Sequence, residues 1–162
     1  MMTAMKFAHE LVYASDPATV YAMLAERSFR ERVCQAQGAS HCDISVGSDG
    51  EGLRVVVDQR RPTKGVPGFA AKLVGEEVRI LTKEWWADPL GARLEVTVPG
   101  RPGRFEGGIR LAGQDGRTVQ SVTGEVTVAI PLLGGRLEQL IAGVLGDALD
   151  VEQDVARTWL AR

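Results

Sequence analysis

Residues 132–162 constrain the fold of this chain more than any other stretch. Apolar side chains recur there at every third or fourth position, a spacing of about 3.6 residues that is typical of one buried face of an α-helix. Those side chains are Leu137, Leu140, Ile141, Val144, Ala148, Val151, Val155 and Trp159. Polar side chains fall mostly on the opposite face, namely Arg136, Glu138, Asp147, Asp150, Gln153, Asp154 and Arg157. Because such a long apolar face must be buried, we expect the helix to pack on a sheet formed by the preceding residues.

The first predicted strand covers residues 6–13. Its apolar and polar residues alternate, which places Phe7, His9, Leu11 and Tyr13 on one face. Because that face is mostly apolar, we expect it to be turned towards the core, with the side chain of His9 pointing inward.

Two short helices are predicted directly after this strand. Asp16 and Pro17 are residue types favoured at the N-cap and in the first turn of a helix. Ser28 and Glu31 have the spacing of a capping box for the second helix, and Gly38 is expected to end it.

From residue 41 onward the apolar side chains recur at every second position. Six alternating stretches, separated by turns rich in Gly, Pro and Asp, predict six further antiparallel strands. Gly107 and Gly108 fall inside one of them, where we expect a bulge or a sharp bend that curls the sheet. The sequence therefore predicts an α+β fold with a single domain over residues 1–162, in which a seven-stranded curved sheet packs on the long C-terminal helix.

Several short segments lie where the predicted strands and helices begin and end. They are Tyr13–Tyr21 (YASDPATVY), Arg61-Pro62, Val66–Phe69 (VPGF), Glu84–Trp86 (EWW), Pro131–Glu138 (PLLGGRLE) and Trp159-Leu160. In these segments and in the order of its elements the chain resembles the START and birch-pollen-allergen superfamily (SRPBCC), which has the helix-grip fold. Within that superfamily it resembles a bacterial family described only as a domain of unknown function. The resemblance implies an internal cavity for a hydrophobic ligand, and it carries over no catalytic residue.

Charge and composition exclude several classes of function. The net charge of the 162 residues is −2, so no general positive field attracts nucleic acid, and we expect no such partner. We see neither a signal peptide nor an uninterrupted apolar span, so we expect a cytoplasmic protein without an integral membrane segment. Cys34 and Cys42 are expected to be buried thiols, with a single bridge as the alternative. Even with His41 they fall short of a zinc site, so we expect no metal and no cofactor.

Two ionisable residues on predicted inner faces could carry chemistry. A buried His9 could act as an acid, a base or a polar anchor for a ligand, and the alternative is a core histidine bonded to a neighbour. Glu84 shares its face with Ile80 and Trp86, where apolar surroundings would raise its pKa and make it a candidate general acid. The alternative for Glu84 is an exposed or salt-bridged carboxylate.

The predicted ligand-binding residues combine inner-face side chains of the strands with the apolar face of the terminal helix. They are His9, Tyr13, Val57, Phe69, Ile80, Glu84, Trp86, Phe105, Ile141, Val144 and Ala148. Gln59 and Gln120 are further inward-facing polar candidates. The apolar segment 62–75 is interpreted either as a gate over the cavity or as fixed packing on the sheet edge.

These patterns favour non-catalytic binding of a small hydrophobic or amphipathic molecule between the sheet and the terminal helix. The first alternative is an enzyme of the cyclase or dehydratase type on a polyketide-like substrate, in which His9 or Glu84 moves a proton. The second is an interaction module that docks a partner through segment 62–75 or an outward-facing Trp85, with a homodimer as one possible assembly.

Overall fold

The computed structural model describes residues 3–162, which form seven strands and four helices. The strands are β1 (Thr3–Tyr13), β2 (His41–Asp49), β3 (Gly52–Pro62), β4 (Glu77–Asp88), β5 (Gly91–Thr97), β6 (Gly103–Gln114) and β7 (Arg117–Val128). The helices are α1 (Pro17–Leu24), α2 (Arg27–Ala36), α3 (Gly68–Val74) and α4 (Gly134–Leu160). Neighbouring strands are all antiparallel, in the order β1-β7-β6-β5-β4-β3-β2. The predicted α+β fold class is confirmed.

The core lies between one face of the sheet and the helices α1, α2 and α4. Its centre contains Leu11 of β1, Phe29 of α2, Val126 of β7 and Ala156 of α4, which are all completely buried. Strand side chains alternate between the two faces, so the apolar residues spaced two apart in the sequence all reach this one layer.

The start of α1 follows the prediction. Oδ1 of Asp16 accepts a hydrogen bond from the backbone nitrogen of Thr19 at 2.8 Å, which caps the first turn. Pro17 occupies the first helical position, where its missing N–H leaves no intrahelical bond unmade.

The predicted capping box of α2 is wrong, although the helix itself is present. The helix begins at Arg27, one residue before Ser28, and its N-cap residue makes no side-chain capping bond. Oε1 of Glu31 instead accepts from Nε of Arg27 at 3.0 Å, which is an exposed ion pair along the helix. Gly38 follows the last turn with φ +84°, a left-handed conformation that favours glycine and ends the helix as predicted.

Of the two alternatives expected at Gly107 and Gly108, a bulge or a sharp bend, the bulge is wrong, because β6 pairs with β5 and β7 without interruption there. Gly107 instead stands directly opposite Gly124 on β7. A Cβ at Gly107 would overlap the carbonyl oxygen of Thr123 and lie 2.7 Å from the Cα of Gly124. The two strands therefore approach each other more closely here than any side chain would permit.

One residue that was predicted on the polar face of α4 is buried instead. Glu138 was expected to face solvent, but its side chain is buried and its Oε2 accepts from the backbone nitrogen of Val128 at 3.0 Å. That bond satisfies a backbone donor at the end of β7, just before the chain turns into the helix. None of the helices in residues 3–162 is long and apolar enough to cross a membrane.

Segment 62–75 contains the short helix α3 and rests against the start of α4. Ala70 is buried together with Val128 and Leu137. The guanidinium of Arg136 lies 4.1 Å from the centre of the Phe69 ring, which is the geometry of a cation–π contact. The segment therefore forms part of the wall between the sheet edge and α4.

Candidate functional site

The space between the sheet and α4 contains two adjoining chambers. The inner chamber has a volume of about 110 Å³ and lies beneath α2 and the second half of α4. The outer chamber, of about 260 Å³, lies beneath α3 and the first half of α4. Four residues line both chambers and mark their junction, namely Arg61, Ile80, Val96 and Leu145.

The walls of the outer chamber are almost entirely apolar. They come from α3, α4, the inner faces of β4 and β5, and the connection between β5 and β6. Arg61 and Arg101 are the two charged residues among those that line it. Val144 of α4 lies in this wall and is still 41% exposed, so the chamber reaches the protein surface beside it.

The inner chamber has a buried ion pair in its wall. Nη1 and Nη2 of Arg30 donate to Oε2 and Oε1 of Glu84 at 2.7 and 2.9 Å. Nε of the same arginine donates to the carbonyl oxygen of Leu24, and Nε1 of Trp86 donates to Glu84 Oε1. Burial alone would lower the pKa of Arg30, but the carboxylate of Glu84 outweighs it and raises that pKa. The guanidinium is therefore charged, and each of its three nitrogens donates a hydrogen bond.

Glu152 of α4 is a second buried carboxyl group in the wall of the inner chamber. Burial raises its pKa to about 7, the charge of Arg30 opposes that rise, and the charge of Glu84 adds to it. Nε2 of Gln120 donates to Glu152 Oε2 over 3.4 Å, which is a long hydrogen bond. Near neutral pH this group is therefore poised between its protonated and ionised forms.

Three buried oxygens near these groups have no hydrogen-bond partner within residues 3–162. They are the hydroxyl of Tyr13 and the Oε1 atoms of Gln59 and Gln120. The two glutamines line the inner chamber, whereas Tyr13 lies outside the walls of both chambers. Buried polar atoms are normally bonded, so the two glutamine oxygens are free to bind a polar group in the chamber.

Seven of the predicted ligand-binding residues line a chamber. Val57, Glu84, Phe105 and Ala148 line the inner chamber, Ile141 and Val144 the outer one, and Ile80 both. The other four predicted residues, His9, Tyr13, Phe69 and Trp86, line neither. Trp86 is buried behind Glu84 and holds its carboxylate, and Phe69 packs under Arg136.

His9 lies at the margin between β1 and α4. Its Nε2 is 2.8 Å from Oδ1 of Asp150, and its ring stacks on Phe7 with 6.2 Å between the ring centres. The side chain is 26% exposed. His9 therefore joins the helix to the edge of the sheet and is satisfied by a neighbouring residue.

Three charged residues of the site were not predicted from the sequence, namely Arg30, Arg61 and Glu152. For Glu152 a signal existed, because it follows Ala148 by four residues and therefore shares the apolar face of the helix. For Arg61 the alternation of β3 places it on the same face as Val57. Arg30 had no such local signal, because its partner is 54 residues away in the sequence.

The sequence pattern of the family described as "Protein of unknown function (DUF2505)" matches residues 8–160. The chain belongs to this family. Among curated protein sequences, none matches this DUF2505 chain significantly.

Solved structures resemble this DUF2505 chain over nearly its whole length. The Zhui aromatase/cyclase from Streptomyces sp. R1128 has a TM-score of 0.65 at 14% identity, with 99% of this chain and 95% of that chain covered. Truncated norcoclaurine synthase from Thalictrum flavum has a TM-score of 0.62 at 16% identity, with 96% and 94% covered. A START superfamily protein from Mycobacterium smegmatis has a TM-score of 0.60 at 16% identity, with 96% and 98% covered. The DUF2505 chain therefore has the helix-grip fold of the START superfamily, as its sequence motifs suggested.

Proposed function

We propose that this protein binds a small hydrophobic or amphipathic molecule in the two chambers between the sheet and α4, without chemical conversion. The observation that carries the proposal is the outer chamber of about 260 Å³, whose walls are apolar apart from two arginines and one threonine. Removal of a ligand's apolar surface from water there would supply the binding free energy, at about 25 cal/mol per Å². A few polar groups beside an apolar cavity would fix the orientation of the ligand.

A neutral dye tests this proposal. N-phenylnaphthylamine fluoresces strongly only in apolar surroundings, so titration with the protein gives a dissociation constant directly. Val96→Phe places a larger side chain at the junction of the chambers and should weaken dye binding by about tenfold or more, because the apolar contact area is lost. Thr97→Phe is the matched control, since it adds the same ring one residue further along β5 on the opposite face.

The binding proposal fails if the folded wild type does not increase the fluorescence of the dye and no hydrophobic ligand raises the melting temperature of the protein. It also fails if Val96→Phe and Thr97→Phe bind the dye equally well, because the dye would then lie outside the chambers. Thermal unfolding of both variants checks that each is folded.

A second candidate function is proton transfer on a polyketide-like substrate, as in a cyclase or dehydratase. The observation that favours it is Glu152, because its pKa of about 7 suits a general acid or base. His9 and Glu84 are less suited to this role, since Asp150 and Arg30 already bind them. Linear poly-β-ketone thioesters incubated with wild type and with Glu152→Gln give the test by mass spectrometry. Formation of a dehydrated product by the wild type alone would support the enzyme, and its absence in both would leave the binding function.

A further inference from the structure

Arg61 occupies a distinct place at the end of β3. Alternation along the strand turns Val57, Gln59 and Arg61 towards the cavity, and all three line the inner chamber. The neighbouring Arg60 is exposed, and its Nη1 lies 4.0 Å from Glu77 Oε1. Two adjacent arginines therefore face opposite sides of the sheet, and the inward one stands at the junction of the two chambers.

Arg61 has no counterion among the described residues. None of the hydrogen bonds or ion pairs of the described side chains involves Arg61, and its Nε is buried and unbonded. The acidic groups of the inner chamber are otherwise engaged, since Glu84 is held by Arg30 and Glu152 is bonded by Gln120. Burial lowers the pKa of Arg61, yet a guanidinium keeps its proton at neutral pH.

We propose that Arg61 binds the carboxylate of an amphipathic ligand whose apolar part fills the outer chamber. This inference rests on the proposed binding function and names the chemical class of the ligand. A partly buried charge without a partner is unfavourable, and a carboxylate can accept two parallel hydrogen bonds from one guanidinium. The other arginine of the outer chamber, Arg101, is exposed in the connection between β5 and β6. Because its charge is solvated, it distinguishes less between a charged and a neutral ligand.

The position of Arg61 also sets the direction of the ligand. An apolar tail entering the inner chamber would meet three charged residues besides Arg61 and three glutamine amides among its apolar side chains. The outer chamber has two arginines and one threonine among mostly alkyl side chains. The carboxylate therefore lies at the junction and the tail extends beneath α3. Because burial raises the pKa of Glu152 to about 7, this group is mostly uncharged at pH 6 and below, and its repulsion of a bound anion grows as the pH rises through 7.

Displacement of N-phenylnaphthylamine by decanoate and by decanol tests whether Arg61 binds the carboxylate of the ligand. At pH 6.5 the wild type should bind decanoate at least about tenfold more tightly than decanol, the size of a charge-assisted hydrogen bond. Arg61→Gln should lose this preference and keep its affinity for decanol, and Arg61→Lys should recover part of the preference. Arg60→Gln is the matched control and should behave as the wild type, because that side chain faces the other side of the sheet.

A second measurement needs no variant. The pKa of carboxyl-labelled decanoate, followed by NMR, should be lower in the wild-type complex than in free solution, because the guanidinium stabilises the ionised form. A bound acid that titrates at or above the free value would overturn the role of Arg61, as would an unchanged preference in Arg61→Gln. If the dye and decanol bind but decanoate binds no more tightly than decanol, the proposed role of Arg61 is wrong while the binding function stands. If neither dye nor decanol binds, both proposals fall.

Discussion

Arg30 of α2 and Glu84 of β4 form a bidentate ion pair in which the side chains are only 6% and 5% exposed. The pair joins α2 to β4, the third strand from the β2 edge of the sheet, and forms part of the inner chamber wall. Each of its charges is held by further bonds, from Trp86 to the carboxylate and from Arg30 to the carbonyl of Leu24. The pair therefore resists local opening and fixes the shape of the chamber.

Loss of one partner of this pair should destabilise the protein strongly. Arg30→Met leaves the Glu84 carboxylate buried with only the Trp86 bond, and Glu84→Gln removes the carboxylate that binds the buried guanidinium. Each change should lower the free energy of unfolding by about 3–5 kcal/mol. The double variant Arg30→Met/Glu84→Gln should be much more stable than the sum of the two changes predicts, in urea unfolding of all four proteins. Additive effects would contradict direct coupling between the two side chains.

Glu152 should make stability depend on pH between about 4.5, its ordinary pKa, and about 7, its pKa in the folded protein. Within that interval the folded state keeps the proton and the unfolded state releases it, so the free energy of unfolding falls as pH rises. Glu152→Gln cannot ionise and should lack this fall. Relative to wild type, the variant should therefore gain about 3 kcal/mol between pH 4.5 and pH 8.

The control for this pH dependence is Glu10→Gln, which removes an exposed carboxylate from β1. Its stability should follow that of the wild type across the same pH range. A constant difference between Glu152→Gln and wild type at every pH would show that the buried carboxyl group does not titrate as described.

The close approach of β6 and β7 should make Gly107 intolerant of a side chain. Gly107→Ala pushes its Cβ against the carbonyl of Thr123, a backbone atom that cannot rotate away. We expect a loss of more than about 3 kcal/mol in chemical unfolding. Gly143→Ala is the control, because this exposed glycine of α4 has no atom within 4 Å of an added Cβ. It should gain about 1 kcal/mol from helix propensity, and similar outcomes for the two changes would contradict the packing described.

Trp159 should anchor the end of α4 on α2. Its ring meets the edge of Phe29, which is completely buried, with 5.6 Å between ring centres. Trp159→Ala should lower the free energy of unfolding by about 3 kcal/mol, through lost apolar contact and the cavity left behind. Thr158→Ala, at an exposed position beside it, should stay within about 0.5 kcal/mol of wild type. An unchanged melting temperature of Trp159→Ala would contradict docking of the helix through this residue.

Ligand binding should slow hydrogen exchange in α3. Three side chains of this helix, Ala70, Leu73 and Val74, line the outer chamber, so a bound tail would add contacts to a short segment that has few of its own. Exchange at residues 68–74 should therefore slow when decanoate is added, as measured by mass spectrometry, while residues 3–13 of β1 change little. Equal exchange with and without ligand would indicate that the segment is fixed packing and no gate.

Much of the fold was predictable from the sequence because its signals are local. The Asp16-Pro17 start of α1, the Gly38 end of α2 and the period-two strands each depend on neighbouring residues, and each is present in the structure. The capping box at Ser28 failed because residue types at the right spacing do not guarantee the backbone geometry of a cap.

The site was predictable only in part. Sequence periodicity predicted the inward direction of Val57, Ile80, Phe105 and Ala148, which all line the inner chamber. In the strands this direction follows from alternation, and in α4 it follows from the period of about 3.6 residues. The same rule put His9 on the inner face but could not show that it lies at the margin of α4.

The sequence by itself determined which residues lie in strands and helices, their order, and which face of each is apolar, since these follow from the backbone period and from turn chemistry. Only the tertiary structure decided which polar and charged groups meet across the fold, because these paired residues are far apart in the chain. Arg30 and Glu84 are 54 positions apart, Gln120 and Glu152 are 32 apart, and His9 and Asp150 are 141 apart. Tertiary packing likewise decided that Arg61 has no counterion among the described side chains, since a missing counterion is a property of the whole fold.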